Sequence, residues 1–425
     1  MALPQPEPTM QRSTPALALL VLVGVTAAAR AQEGTTPRIF TFQGGTPRIS
    51  LGEGQFRTTI QPLLRVDLDA GSFWGQELVA GGPPRLDATA NVRRARIGLG
   101  GTIFRDFSYT FLWEFGTSPR GQSDGGTIYE LQAAYTGLEN VAIRVGGFTP
   151  MHTIDYSMSS FELLMLERPA ISNLVASLAS GDSRLAAGVE AHGSRWFAAG
   201  YVSDGVISTL HDDRQRGIAG RGAWLVADEP SWQLQLGING SAQFRPGPNN
   251  DESIRLRDYP ELRLDETRLL DTRAIQADQG WSLGPEISGR IGPVYLQGEY
   301  YHIGVDPKAG SSRSFDGWYV AAAMPLIGEP RTRSASRAAW GRPRFEELDP
   351  NTGSWGWLEL AGRYSYVNLN DGPARGGRQS IWSVALNWYP ARRLRFSTQY
   401  MVGKVALDGP DRDFQAVGVR LAFNL

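Results

Sequence analysis

The side chains best equipped for chemistry in this chain are its arginines. Lys308 and Lys404 are the only lysines in a sequence with 42 Lys and Arg residues. A guanidinium stays charged at any physiological pH, and its rigid fork of donors matches phosphate or carboxylate two hydrogen bonds at a time. Arg94, Arg96, Arg144, Arg221, Arg290, Arg363, Arg393, Arg395 and Arg420 fall on the polar side of segments in which polar and apolar residues alternate. Glu114, Glu130, Glu190, Glu286, Glu299 and Glu359 fall on that side too. A water-filled lumen lined by both sets would carry a modest basic excess and would favour small anions. The competing reading of each arginine is an ion pair with a neighbouring carboxylate, the usual state of a buried charge.

Other chemistries find little support. Cysteine is absent, which removes disulfides, thiolate metal sites, a Cys nucleophile and a lipoprotein anchor. His152, His192, His211 and His302 lack metal-ligand spacing. No G-x-S-x-G elbow and no phosphate-cradling glycine loop precedes a helix. His302 followed by Asp306 is the nearest match to the His-acid pair of an outer-membrane barrel hydrolase, a rival from another functional class. The net charge is −1 and the basic residues are dispersed, so nucleic acid is not an expected partner. Nothing in the pattern implies a cofactor.

The elements that position these residues are strands. In FSYTFLWEFG, residues 107–116, Phe107, Tyr109, Phe111, Trp113 and Phe115 share one face, while Ser108, Thr110 and Glu114 share the other. Period two means an extended strand. A soluble sandwich would turn the rings inward; an outer-membrane barrel turns them to lipid. The rest of the chain favours the barrel. Segments of about ten residues alternate and are separated by turn signals, from a first strand near 56–68 to a last one ending at Leu425, about sixteen in all. Short links at 104–106, 138–140, 193–194, 228–230, Gly292 and 390–391 alternate with long ones at 69–90, 117–126, 149–183, 204–217 and 245–280. Outer-membrane barrels show this asymmetry between periplasmic turns and outer loops. The rhythm fails once, at 328–355, where a short turn is due. A mean hydropathy of −0.26 and the lack of a central apolar run of about 20 residues argue against membrane helices.

At the N-terminus, Arg12 precedes an apolar run from Pro15 to Ala28 and then Ala29-Arg30-Ala31, the layout of a cleaved export signal. Met10 is a candidate initiator, since the Pro-rich residues before it fit a signal poorly. The expected organisation is a signal peptide at 1–31, a short periplasmic segment at 32–54 and a barrel at 55–425.

Three blocks resemble the phosphate-selective porin O and P family: NVRRARIGLGGTIFRDFSYTFLWEFG, IYELQAAYTGLENVAIRVGGFTPMHTIDYSMSSFELLMLERP, and GWYVAAAMPLIGEPRTR with the later WLELAGRYSYVNLNDGPARGG and IWSVALNWYPARRLRFSTQY. The similarity covers most of the mature chain. It implies an all-β fold, a 16-stranded antiparallel transmembrane β-barrel with an inserted constriction loop, usually a homotrimer in the outer membrane. Arg144, Gly146, Phe148, Pro150, Ser159, Ser160, Glu167 and Arg168 match the family pattern around that loop. The sequence departs from it at Met151, where a second proline is common, and in a loop without lysine. The loop offers His152, Asp155, Glu162, Glu167 and Arg168 instead. Glu167 and Arg168 are expected to pin the loop, and an Asp155 facing the pore would repel anions. The implied function is a diffusion channel for small anions, phosphate or polyphosphate first, with outer-membrane lipid and lipopolysaccharide around it. The alternative is a general or differently selective porin for small polar nutrients.

Overall fold

The computed structural model describes residues 40–43, 46–76, 84–116, 126–207, 215–246, 252–407 and 409–425. The segment read as an export signal, 1–31, lies outside them. Alternation along the chain becomes sixteen antiparallel strands in one closed barrel. They are β1 (Thr58–Trp74), β2 (Thr89–Ile103), β3 (Phe107–Glu114), β4 (Thr127–Leu138), β5 (Val141–Phe148), β6 (Arg184–His192), β7 (Trp196–Val206) and β8 (Arg216–Asp228), followed by β9 (Trp232–Arg245), β10 (Ile275–Ile291), β11 (Val294–Pro307), β12 (Arg313–Ile327), β13 (Trp357–Asp371), β14 (Ala374–Ala391), β15 (Leu394–Ala406) and β16 (Arg412–Asn424). Each pairs with its chain neighbour. β16 closes on β1, with Phe423 opposite Val66 and Leu421 opposite Leu68. Closure leaves no unpaired edge, which a bilayer would penalise.

The faces sort as a lipid-embedded barrel requires. Phe107, Phe111 and Phe115 are 47%, 36% and 48% exposed on the outside. Ile97, Val145, Val202, Trp382 and Val384 are exposed with them, while Arg94, Arg96, Arg221 and Arg363 on the other face are buried. A soluble fold would reverse that order. Tight links hold the short-turn end: Gly292 takes φ +54 in the two-residue link joining Ile291 to Val294, a conformation that glycine adopts without strain. A hairpin of Phe40–Gln43 and Thr46–Leu51 adds to the same end of β1, with Ile49 opposite Ile60. The 32–54 segment is therefore partly sheet.

Three connections fold into the barrel. The first, 149–183, holds α1 (Ile154–Ser157), whose N-cap Thr153 accepts from the Tyr156 amide, and α2 (Ala170–Ala179). Helix α2 forms where the sequence pattern reads as irregular. Its Ile171, Leu174, Val175 and Leu178 bury against Tyr301, Ile303, Phe315 and Tyr319 of the wall. The wall makes room with glycine: a Cβ on Gly317 would stand 2.8 Å from Ile171 Cδ1, and one on Gly217 2.6 Å from Ala179 Cβ. The second insert, 252–274, brings Leu262, Leu264 and Leu269 inside. The third is the 328–356 link that broke the rhythm. It comes from the short-turn end and carries a hairpin, Thr332–Ser334 with Ala339–Gly341, whose Trp340 packs on Tyr295. A long link survives on the short-turn side because part of it, Arg331 and Ala338 to Trp340, is core, while most of 346–355 stays exposed. Together the inserts pack against the wall from β10 round to β16 and the end of β1.

Candidate functional site: an arginine-lined aperture

Inward arginines divide into two populations. The first holds the inserts. Arg395 donates to the carbonyls of Phe161 and Leu163 at 3.0 and 2.9 Å. Arg363 donates to the Glu167 carbonyl at 2.9 Å and to Glu261 at 2.6 Å. Arg221 grips Glu286 with two bonds of 2.8 Å and reaches Ser157 and the carbonyls of Arg337 and Ala338. Arg420 pairs with Asp69 at 2.6 Å and donates to the Leu166 carbonyl at 2.5 Å. Uncharged groups extend the same row: Asn387 donates to the Leu164 carbonyl, and Gln399 accepts from the Leu166 amide. An extended loop backbone exposes carbonyls that need donors once water is gone, and the wall supplies them.

Glu167 is the centre of this clamp. Its carboxylate takes two bonds from Arg93, at 2.8 and 3.0 Å, and one from Arg420 at 2.7 Å, with Arg94 at 3.7 Å and Arg263 at 3.8 Å. Burial alone would push this carboxyl up; Arg93, Arg94 and Arg420 outweigh it and hold it well below the usual range. Arg94 also bonds Asp67 at 2.8 Å, so it lies behind the loop rather than at open space.

The second population faces a cavity of about 350 Å³ between the loop and the wall of β1–β5. Arg65, Arg96, Arg144, Arg168 and Arg337 line it, against Glu130 and Asp182. Carboxylates orient three of the guanidinium groups from the wall: Asp67 holds Arg65 at 2.6 Å, Glu114 holds Arg96 at 2.5 Å, and Glu190 holds Arg144 at 3.0 Å. Rings fix three faces. Tyr129 lies 3.3 Å from the Arg96 guanidinium, Tyr156 4.1 Å from that of Arg168 and Phe161 4.9 Å from that of Arg65. Stacking of this kind keeps the planar heads fixed while leaving in-plane donors available. Asp182 is half-buried; desolvation alone would raise its carboxyl, yet Arg168 and Arg96 draw it down to about 2. A second cavity of about 420 Å³ shares Leu63 with the first and continues toward the short-turn end, lined by Arg48, Arg57 and Arg105.

The remaining sequence candidates sit elsewhere. Arg290 donates to the turn carbonyls of Gly292 and Pro230, and Arg393 to Thr46 of the N-terminal hairpin. His152 is buried with Nδ1 2.9 Å from Ser180 Oγ. Asp155 turns from the cavity and accepts from Gln297 at 3.0 Å, and burial pushes its carboxyl up. Glu162 accepts from Arg342 at 3.1 Å and ties the loop to the third insert. The His302–Asp306 pair does not form: His302 meets Ser314 at 3.1 Å, while Asp306 accepts from Gln279 and Ser312.

Sequence reasoning missed Arg65, Arg93 and Arg337. Arg65 had a signal, since Arg65, Asp67 and Asp69 share one face of the first strand. Arg337 had none, because its link was expected to be a turn.

A closed sixteen-stranded barrel, apolar outside and narrowed inside by folded-in loops, defines an outer-membrane channel protein. The chain belongs to the family described as phosphate-selective porin O and P, whose pattern matches residues 66–425. It is 24% identical to Porin O of Pseudomonas aeruginosa over 346 residues, 74% of this chain and 76% of that one. Its fold is similar to that of an anion-selective porin from Comamonas acidovorans, with a TM-score of 0.51 at 13% identity, covering 86% of this chain and 100% of the other. It is also similar to the trimer form of OmpT, an outer membrane protein of Vibrio cholerae, with a TM-score of 0.54 at 10% identity, covering 87% and 99%.

Proposed function

We propose that this protein is a diffusion channel for small anions, with inorganic phosphate the first candidate. The observation that carries the reading is the lining of the aperture: five guanidinium groups, Arg65, Arg96, Arg144, Arg168 and Arg337, face the cavity against two side-chain carboxylates. The carboxylates that orient Arg65, Arg96 and Arg144 stand on the wall beyond that lining. A passing anion therefore meets donors first, and Arg48, Arg57 and Arg105 continue the basic path. Fixed forks of this kind replace part of an oxyanion's hydration. The Porin O name and the anion-selective Comamonas porin agree with this reading.

The same ion pairs support a second reading. Because Arg96 and Arg144 are each partnered, the field is weaker than a row of free cations would make, and a general porin for small polar nutrients would tolerate such an eyelet. Chloride current through single channels in planar bilayers separates the two. Phosphate added at low millimolar concentration should reduce the current by occupying the aperture. A current indifferent to phosphate, through a channel that does not favour anions, removes the anion reading in favour of the general porin.

The proposal includes export through the 1–31 signal, an outer-membrane setting among lipid and lipopolysaccharide, and assembly as a homotrimer. Support for the trimer lies in the wall. β3, β5 and β6 have 8, 8 and 9 residues, whereas β10 and β14 have 17 and 18. Eight residues at about 3.3 Å each, tilted about 45°, rise roughly 19 Å, short of an apolar band about 25 Å tall. That low, aromatic side suits a second copy better than lipid. Native mass measurement in detergent should give three chains, and Phe111→Arg should reduce it to one.

A further inference from the structure

We propose that the sign of the ion selectivity at the aperture is decided by Arg337, at the tip of the hairpin inserted from the short-turn end, acting against Glu130 of the wall. This deepens the anion-channel reading and rests on it. The charges at the aperture nearly cancel. Three of the lining arginines, Arg65, Arg96 and Arg144, are neutralised by carboxylates within 3.0 Å. Arg168 is 7% exposed within the loop, where it donates to the Asp155 carbonyl at 3.1 Å and is offset by the charge of Asp182. A compensated pair acts at a distance as a dipole, and its influence on a passing ion falls off faster than that of a lone charge.

Arg337 differs. It is exposed, it lines the cavity, and its side chain has no ion pair among the described residues. Its own backbone is held firmly: the Arg337 carbonyl accepts from Arg221 at 2.7 Å, and the neighbouring Ala338 carbonyl accepts from Arg221 and Gln235 at 2.7 and 2.8 Å. The tip is thus fixed while its cation is free. Glu130, a lining carboxylate of the wall, is in no ion pair among the described residues and accepts from Gln132. At about 10 Å and an effective dielectric of about 20–40, one unit charge changes the local concentration of each ion about four- to seventeen-fold, in opposite directions for chloride and potassium.

Zero-current potentials in a potassium chloride gradient test this on the full-length protein in planar bilayers. Arg337→Gln should lower the chloride-to-potassium permeability ratio by about tenfold or more. Arg337→Glu should invert the preference, Arg337→Lys should retain it, and Glu130→Gln should raise it. Equal ratios for wild type, Arg337→Gln and Arg337→Glu would overturn the proposal. So would an identical loss in Arg337→Lys and Arg337→Gln, which would assign Arg337 a structural role. A wild-type channel that prefers potassium sinks the anion reading instead, and the opposite shifts of Arg337→Gln and Glu130→Gln would still measure the inference separately.

Discussion

Arg395→Met separates the two roles that an inward arginine can play. The sequence put Arg395 among the anion contacts; the structure buries it to 1% exposure under the inserted loop. Its guanidinium donates to Phe161 and Leu163 carbonyls of the loop, to Asn387 at 2.7 Å and to Ser397 at 2.6 Å. Methionine keeps much of the volume and removes every donor. The Phe161 carbonyl retains Tyr389 at 3.0 Å, and Asn387 retains Ser397 at 2.8 Å. The Leu163 carbonyl retains nothing described. Two hydrogen bonds from a charged donor contribute about 3–6 kcal/mol to loop docking. Relief from burying a cation that has no carboxylate partner offsets part of this, leaving about 2–4 kcal/mol. The undocked loop should then be about thirty- to seven-hundred-fold more populated. The assays are protease cleavage within 149–183 and single-channel recording. Cleavage should speed up by that order, open-channel noise should rise, and the zero-current potential should stay put. A shifted potential with unchanged protection of the loop would return Arg395 to the pore lining and refute the clamp.

Other expectations follow from the same geometry. Val384→Arg, on the exposed outer face of β14, should destabilise the barrel by about 2–4 kcal/mol in lipid, measured by urea unfolding in vesicles, because the charge enters hydrocarbon. Trp340→Ala should cost the third insert about 3–5 kcal/mol of packing and raise single-channel conductance, since Trp340 is fully buried and bonded to Ser288 at 3.2 Å. Burial, reinforced by Arg221, lowers the folded His152 pKa from 6.5 to about 4. The unfolded chain therefore binds this proton first as the pH falls. Its contribution is complete above about pH 6.5 and declines by about 3 kcal/mol toward pH 4. Thermal midpoints in detergent at pH 7.5, 5.5 and 4 should drop less in His152→Asn than in wild type.

Much of the barrel was legible because a lipid-facing wall enforces a strict period of two. Leu236, Ile287, Val320 and Val384 could not turn inward without carrying polar groups into hydrocarbon. The same rule gave the inward side of Arg94, Arg221 and Arg420, but not what they would meet there. Alternation reports which face a residue takes, whereas an insert's path through the lumen depends on contacts far apart in sequence, such as Arg395 with Phe161 or Arg93 with Glu167. Helix α2 was missed although Ile171, Leu174, Val175 and Leu178 carry the helical spacing, because its other side holds only small uncharged groups, Asn173 and Ser177. A short helix inside a barrel lacks the charged face that marks a surface helix. The third insert defeated the reading for a related cause: length rules for turns assume that the turn meets water, and Trp340 does not.

Conduction requires a water passage, basic in character, between the loop and the β1–β5 wall. Ser160 lines that passage, and the wild-type chain has no cysteine to confuse the result. Ser160→Cys, recorded in planar bilayers, should lose current on adding an anionic methanethiosulfonate reagent, and should react with it faster than with the cationic analogue of similar size. A Ser160→Cys channel indifferent to both reagents, or one modified faster by the cation, would contradict the account.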